Sequence, residues 1–259
     1  MNLSRQVHRL LTFRNLRTRL TLLYMGLFGL ALILSAIAVV TAVTNSARHM
    51  VRGEMTSAGA VYGQLWEARS SQLGQSARVL AGDHAFRQAV AANDAPAMRS
   101  ALDDLRARQG LDGALVLGVD GHATPTGVTL DEAARTALFK GLESGGPESG
   151  VLTIGGQPFQ VVAAPVDTPA PAGWVVFAER LDAAQMRNLE GLSPIPLSAA
   201  VVLNPAQASI GQPVTVETGQ GLSMQLAHPL PSFDPAAKTF LLLTSPLDRA
   251  MKPYESLFL

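Results

Sequence analysis

The sequence predicts an α+β fold carried behind a transmembrane helix. Three observations predict it: one uncharged apolar stretch near the start, a helical stripe directly after it, and two groups of strand-length apolar runs broken by Gly and Pro clusters. The stretch from Leu20 to Val43, LTLLYMGLFGLALILSAIAVVTAV, exceeds the roughly 20 residues needed to cross a bilayer and is longer than the apolar core of a cleaved signal peptide. Before it stand Arg5, Arg9, Arg14, Arg17 and Arg19 with no acid. The first twenty or so residues beyond it carry only Arg48 and Arg52, partly offset by Glu54. This bias keeps the N-terminus cytoplasmic and places the bulk of the chain in the periplasm of a cell with an inner membrane. The same arginines also suit anionic lipid headgroups, so the bilayer is the first expected partner.

After the span, Val51, Met55, Ala58, Tyr62 and Leu65 recur four and three residues apart, and the stripe resumes with a shift at Leu73, Ala77 and Leu80. They share one face of a long stalk helix. That face either packs on the chain's own domain or forms the seam of a parallel homodimer. Asp83 and Asp94 stand where helix N-caps stand, Pro96 occupies a position that tolerates proline at a helix start, and Met98, Leu102 and Leu105 form a stripe that stops at Gly110. A strand is expected from Ala114 to Val119, turning at Asp120-Gly121. Thr129-Leu-Asp-Glu132 has the spacing of a capping box, opening a helix to about Gly141. Val151–Ile154, Phe159–Ala164 and Trp174–Glu179 are further strand candidates, which gives one antiparallel sheet with helices on one side. A short helix from Leu181 to Glu190 and a break at Ser193-Pro-Ile-Pro196 lead to a smaller, β-rich unit with runs at Leu197–Leu203, Val214–Glu217, Leu222–Ala227 and Thr239–Thr244. Ser245-Pro-Leu-Asp248 reads as the start of a closing helix, which Pro253 should kink or whose first segment it should end.

The resulting division is a basic cytoplasmic segment (1–19), a transmembrane helix (20–43), a stalk (44–82), a membrane-distal domain (83–180), a smaller membrane-proximal domain (181–246), and a closing helix (247–259) leading toward a second membrane helix. This layout resembles the double-Cache family of tandem PAS-like extracytoplasmic sensors. The segments carrying the resemblance are LVLGVDGHATPTG (Leu115–Gly127), WVVFAERLDAAQMRNLEGL (Trp174–Leu192) and LLLTSPLDRAMKPYESLFL (Leu241–Leu259), together with the long helix after the membrane. The resemblance implies ligand sensing by the distal sheet and transmission across the membrane to a cytoplasmic output, cyclic-di-GMP turnover ahead of a histidine kinase. No amino-acid-recognition pattern of the family matches these positions, so the ligand-binding residues stay open.

The remaining chemistry is mostly exclusion. Twenty basic and twenty acidic residues balance, which removes the electrostatic footprint of a nucleic-acid binder. The chain has no cysteine, hence no disulfide and no thiolate metal site. No G-x-S-x-G elbow, H-E-x-x-H, P-loop or dinucleotide fingerprint occurs. His8, His49, His84, His122 and His228 are dispersed; only folding would gather His84 and His122 with a carboxylate around a metal. Gly145-Gly146 and Gly219-Gln-Gly221 read as turns, because no helix follows to supply amides to a phosphate. Trp174 and Phe177 fall on opposite strand faces, and either can line a cavity. Arg135 is a cation able to hold a carboxylate, with a solvated helix position as its plainer role. No catalytic residue, metal or cofactor is therefore expected. The rival readings are an anchored periplasmic hydrolase, which needs Ser, His and carboxylate groups to converge, and an envelope assembly protein, which needs a broad apolar patch.

Overall fold

The structure is a computed structural model describing residues 16–167, 171–182, 186–187, 197–203, 210–219, 221–234 and 237–246. The chain divides into two units, residues 1–50 and residues 51–259. Helix α1, Leu16–Gly82, contributes to both. In the first unit, Leu20–Ala42 is the one helical segment among the described residues that is long and apolar enough to cross a membrane. Leu23, Phe28 and Ile33 are exposed there, as lipid-facing side chains are. The Thr41 hydroxyl donates to the Ile37 carbonyl at 2.9 Å, so this polar group is satisfied within its own helix.

In the second unit, α1 is followed by α2 (His84–Ala91), α3 (Ala95–Gln109), β1 (Gly113–Gly118), β2 (Ala123–Thr126), α4 (Glu132–Glu143), β3 (Ser149–Ile154), β4 (Gln157–Asp167) and β5 (Pro171–Arg180). The five strands form one antiparallel sheet, called the distal sheet after the division expected from sequence, in the order β2-β1-β5-β4-β3. A second antiparallel sheet follows from β6 (Ser198–Leu203), β7 (Val214–Thr218), β8 (Gly221–Leu230) and β9 (Thr239–Pro246), in the order β6-β9-β8-β7. The predicted α+β class with two antiparallel sheets is the class observed.

The helix starts are chemically explicit. The Asp83 carboxylate accepts from the Phe86 amide at 2.8 Å and Asp94 from the Ala97 amide at 3.2 Å, satisfying orphan donors of α2 and α3. Gly110, at φ 67°, ends α3 in the left-handed region. The capping box at Thr129 is not formed. The N-cap of α4 is Asp131, whose two oxygens accept from Ala134 N–H at 2.7 Å and Gly155 N–H at 2.9 Å, so it also fixes the β3–β4 turn.

Cover on one side of the distal sheet, as the sequence led us to expect, is also wrong. Successive residues of β1 are buried on both faces. Ala114 and Val116 join Val175 and Phe177 under α1, α2 and α3, while Leu115 and Leu117 join Val176 and Ala178 under α4. A strand apolar at every position needs cover on both sides. β2 is not among the strand runs read from sequence; it carries Pro125, which is tolerated because β2 is an edge strand. Ser245 and Pro246 do not begin a helix: they end β9, opposite Met224 and Ser223. The closing helix, the break at 193–196 and most of the connecting helix at 181–190 lie outside the described residues.

The stalk stripe packs inward. Val51, Met55, Tyr62 and Trp66 are buried with Met224, Leu226, Leu241 and Leu243 of the proximal sheet, and Leu73, Ala77 and Ala81 are buried in the distal core. Leu65 was placed in this stripe, but Trp66 takes the buried position and Leu65 is 42% exposed; likewise Ala81 is more deeply buried than Leu80. Between the two cores the contact turns polar: Gln160 of β4 donates to the buried Ser70 hydroxyl at 2.9 Å, and Arg69 pairs with Glu179 at 2.8 Å. Gly59 and Gly63 allow the close approach, because a Cβ would sit 3.0 Å from Leu226 Cδ2 at the first and 3.2 Å from His228 Nε2 at the second. Gly59→Val should therefore cost about 1–3 kcal/mol by overpacking. Gly53→Ala, at an open site on the same helix, should stabilise by up to about 1 kcal/mol. Chemical denaturation of the full chain in detergent measures both, and an unchanged midpoint for Gly59→Val would contradict the packing.

Candidate functional site

A pocket of about 280 Å³ opens at the end of the distal sheet, between the α2–α3 turn and the β1–β2 hairpin. Its floor is buried: Met98 from α3, Val116 from β1 and the Thr124 side chain from β2. Asn93, Asp120 and His122 stand at the exposed rim. The hairpin that presents them is tightly built. Gly118 N–H donates to the His122 carbonyl at 2.9 Å, and the His122 amide donates to Asp120 Oδ1 at 2.9 Å. One carboxylate oxygen of Asp120 thus shapes its own turn. Asn93 has φ 53°, the one non-glycine residue in the left-handed region among those described, a conformation asparagine tolerates better than most residues and one found often in turns and sites. The pocket therefore joins an apolar floor to a hydroxyl, a carboxylate, an imidazole and an amide.

A second concavity, an open groove of about 720 Å³, lies on the helical layer between the end of α1 and α2 and α3. Val79, Phe86, Ala97, Ala101 and Leu105 line it, and Asp104 and Arg108 stand at its edge. Small side chains and no deep floor suit a helix better than a small molecule.

The residues singled out from sequence disperse. Arg135 pairs with Glu132 at 3.9 Å on the surface of α4, the solvated helix position. His84 exchanges a hydrogen bond with Gln88 at 3.0 Å on α2, while His122 alone reaches the pocket. Among the described residues, no group of three or more His, Asp or Glu could hold a metal ion. Phe177 is wholly buried in the core below α1, and Trp174 packs edge-on against Phe139 at 6.2 Å on the opposite face. Gly145 ends α4 in a turn. Sequence reasoning missed Thr124 and Asn93, which carry no motif; the hairpin turn at Asp120 was the one signal pointing toward this end of the sheet.

Three groups have displaced pKa values. Burial pushes the Tyr62 phenol up to about 12. The Ala134 and Gly155 amides hold the Asp131 carboxyl below its ordinary 3.8. His228, half-buried against Gly63, is lowered from 6.5 by desolvation.

The profile of the CHASE4 domain matches residues 67–200, more than half of the chain. The chain belongs to the CHASE4 family. Its fold is also that of solved extracellular sensor domains. The ligand-binding domain of the Campylobacter jejuni chemoreceptor Tlp3, in complex with L-valine, matches at TM-score 0.51 and 10% identity over 80% of this chain and 97% of that one. The ligand-binding domain of the Pseudomonas aeruginosa amino acid chemoreceptor PctB, in complex with L-Gln, matches at 0.50 and 14% over 77% and 91%. The extracellular domain of the histidine kinase vpHK1S-Z8 matches at 0.51 and 10% over 80% and 98%. Among curated proteins none matches. The CHASE4 match and these folds identify the chain as an extracytoplasmic sensor region.

The lowered His228 value has a testable sign. In the fold His228 is neutral below the pH at which the unfolded chain protonates it. Its contribution to stability is complete above pH 6.5 and is lost as pH falls from 6.5 toward the lowered value. Unfolding free energies measured from about pH 7.5 to about pH 5 should fall less steeply for His228→Gln than for the parent chain. Parallel slopes would contradict the burial of this imidazole.

Proposed function

We propose that this CHASE4 chain is the sensing part of a transmembrane receptor, non-enzymatic in itself, whose distal pocket takes a compact amino-acid-like ligand from the periplasm. The observation that carries the reading is the composition of α1: one helix holds the apolar span in its first half and core residues of both sheets in its second. The pocket supports the ligand class. At about 280 Å³ it lies just under the roughly 300–1,000 Å³ of sites for drug-sized molecules, which restricts it to compact ligands. Asp120 suits an ammonium group, Thr124 and His122 suit a carboxylate or amide, and Met98 and Val116 suit a short apolar stem. The solved domains of like fold carry L-valine and L-Gln, which supports the same class. Cyclic-di-GMP turnover is the proposed output, from family resemblance. A histidine kinase is the second reading, favoured by the likeness to vpHK1S-Z8.

The reading includes a homodimer through the stalk, on a face other than the stripe the sequence first offers. Val61, Leu65, Ala68, Gln72, Gln75 and Val79 alternate four and three residues apart and are all exposed, Val79 at 76%. The occupant of this face is a second copy. The alternation is that of a heptad seam, and the groove beside it carries Asp104 and Arg108, opposite charges one turn apart that can pair reciprocally across a two-fold axis.

Two experiments on the full chain in nanodiscs test these points. Thermal unfolding with each free L-amino acid should show at least one that raises the midpoint, and Ala172→Phe, which fills the pocket, should abolish that rise. A set of amino acids with no effect on the parent chain would overturn the ligand class. With no native cysteine present, single variants Leu65→Cys and Val79→Cys should form intermolecular disulfides much faster than Glu67→Cys. Equal rates at all three would exclude this seam.

A further inference from the structure

The two sheets exchange side chains where they meet. β3 is the edge strand of the distal sheet, and residues 231–234, which leave β8, lie along it. The Val151 amide donates to the Pro231 carbonyl at 2.7 Å, and the Phe233 amide donates to the Val151 carbonyl at 3.1 Å. The Ser232 hydroxyl accepts from the Asp234 amide at 3.2 Å, holding the turn in shape. These bonds place two side chains in each other's domains. Phe233, 1% exposed, enters the distal core with Leu138 and Leu142 of α4 and Leu152 of β3. Val151, also 1% exposed, enters the proximal core with Met224, Leu230 and Leu241. The fit is close, since a Cβ on Gly141 would lie 3.2 Å from the Phe233 carbonyl and one on Gly150 would lie 3.1 Å from the Pro231 carbonyl.

We propose that this reciprocal plug is a transmission contact, passing displacement of β3 and α4 in the distal sheet to β8 and β9 in the proximal sheet independently of α1. The physical ground is packing. A fully buried phenylalanine cannot stay behind when its surrounding helix and strand move, because close-packed interiors shift between discrete arrangements instead of deforming smoothly. In sequence Phe233 stands shortly before Thr239, where β9 begins on its way to Pro246. A movement at α4 thus reaches β9 through few residues, whereas the path along α1 passes through the polar contacts of Ser70 and Arg69. The signalling meaning of the plug rests on the sensor reading above. Its mechanical coupling does not.

Native-state hydrogen exchange on the full chain in nanodiscs tests the coupling without any ligand. Leu241→Val thins the proximal core and should lower protection in β8 and β9 about five- to tenfold. With Phe233 in place, β3 and α4 should lose protection by a similar factor. In a Phe233→Ala background, the Leu241→Val change should leave α4 unaltered and reach β3 only through Val151, and Phe233→Leu should restore part of the α4 response. Should Phe233→Ala not fold, the same comparison in Gly150→Ala, which crowds the Pro231 carbonyl, should show a weakened response. A response of α4 that is the same with and without the plug, or absent from the parent chain, overturns the proposal. Because no ligand enters, a failed ligand screen and a failed coupling test are separate results.

Discussion

One helix face supplies the cores of two sheets, and the remainder of the second unit is arranged around that constraint. From Val51 to Ala81 the inward face of α1 passes from Met55, Tyr62 and Trp66, against the proximal sheet, to Leu73 and Ala77, against the distal sheet. Each fully buried side chain of this kind contributes about 1.5–3 kcal/mol. Without α1 the proximal sheet would lose the stripe that covers it and the distal sheet would keep only α2 and α3 on that face, although β1, β4 and β5 are apolar on both faces and need cover on each. The changeover is where polar groups are tolerated, and Ser70 and Gln160 satisfy one another there. A substitution at this junction would leave a buried polar atom without its partner, a larger penalty than the hydrogen bond itself contributes.

The elements with strong local signals were legible. Asp83 and Asp94 cap the helices they seemed to cap, and the apolar runs became strands within a few residues of their expected ends. Where local rules competed with tertiary context, context won. The short β2, with Pro125 within it, is permitted by its place at the sheet edge, and Ser245-Pro246 mimicked a helix start while pairing with β8 held them extended. The stalk periodicity was sound, but its phase beyond Tyr62 depends on the sheet beneath, which selects Trp66 over Leu65. The pocket was not legible, because Asn93, Asp120 and Thr124 come from three separate elements and none is unusual alone.

A sensor built this way acts by shifting populations, and a ligand can move the equilibrium only by the difference in its affinity for two arrangements. The pocket sits where such a difference can arise. Its walls are the α2–α3 turn and the β1–β2 hairpin, short segments held by their own hydrogen bonds, above a floor shared with the core. Contraction around a ligand would bear on Met98 and Val116, which pack in the same core as Leu73 and Ala77 of α1. The outward face of the same helix is free for a second copy, so intramolecular packing and pairing do not compete for side chains.

The central claim is that α1 is structural in both sheets beyond residue 50, not a free stalk leading to a single domain. A scan of thiol labelling rates in bilayers tests it most directly, with single cysteines placed along α1 in a chain that has none of its own. The account predicts slow labelling at Met55, Tyr62, Leu73 and Ala77 and fast labelling at Thr56, Gln64, Glu67 and Arg78. Fast labelling at Met55 and Tyr62, with protection confined to Leu73 and Ala77, would contradict it.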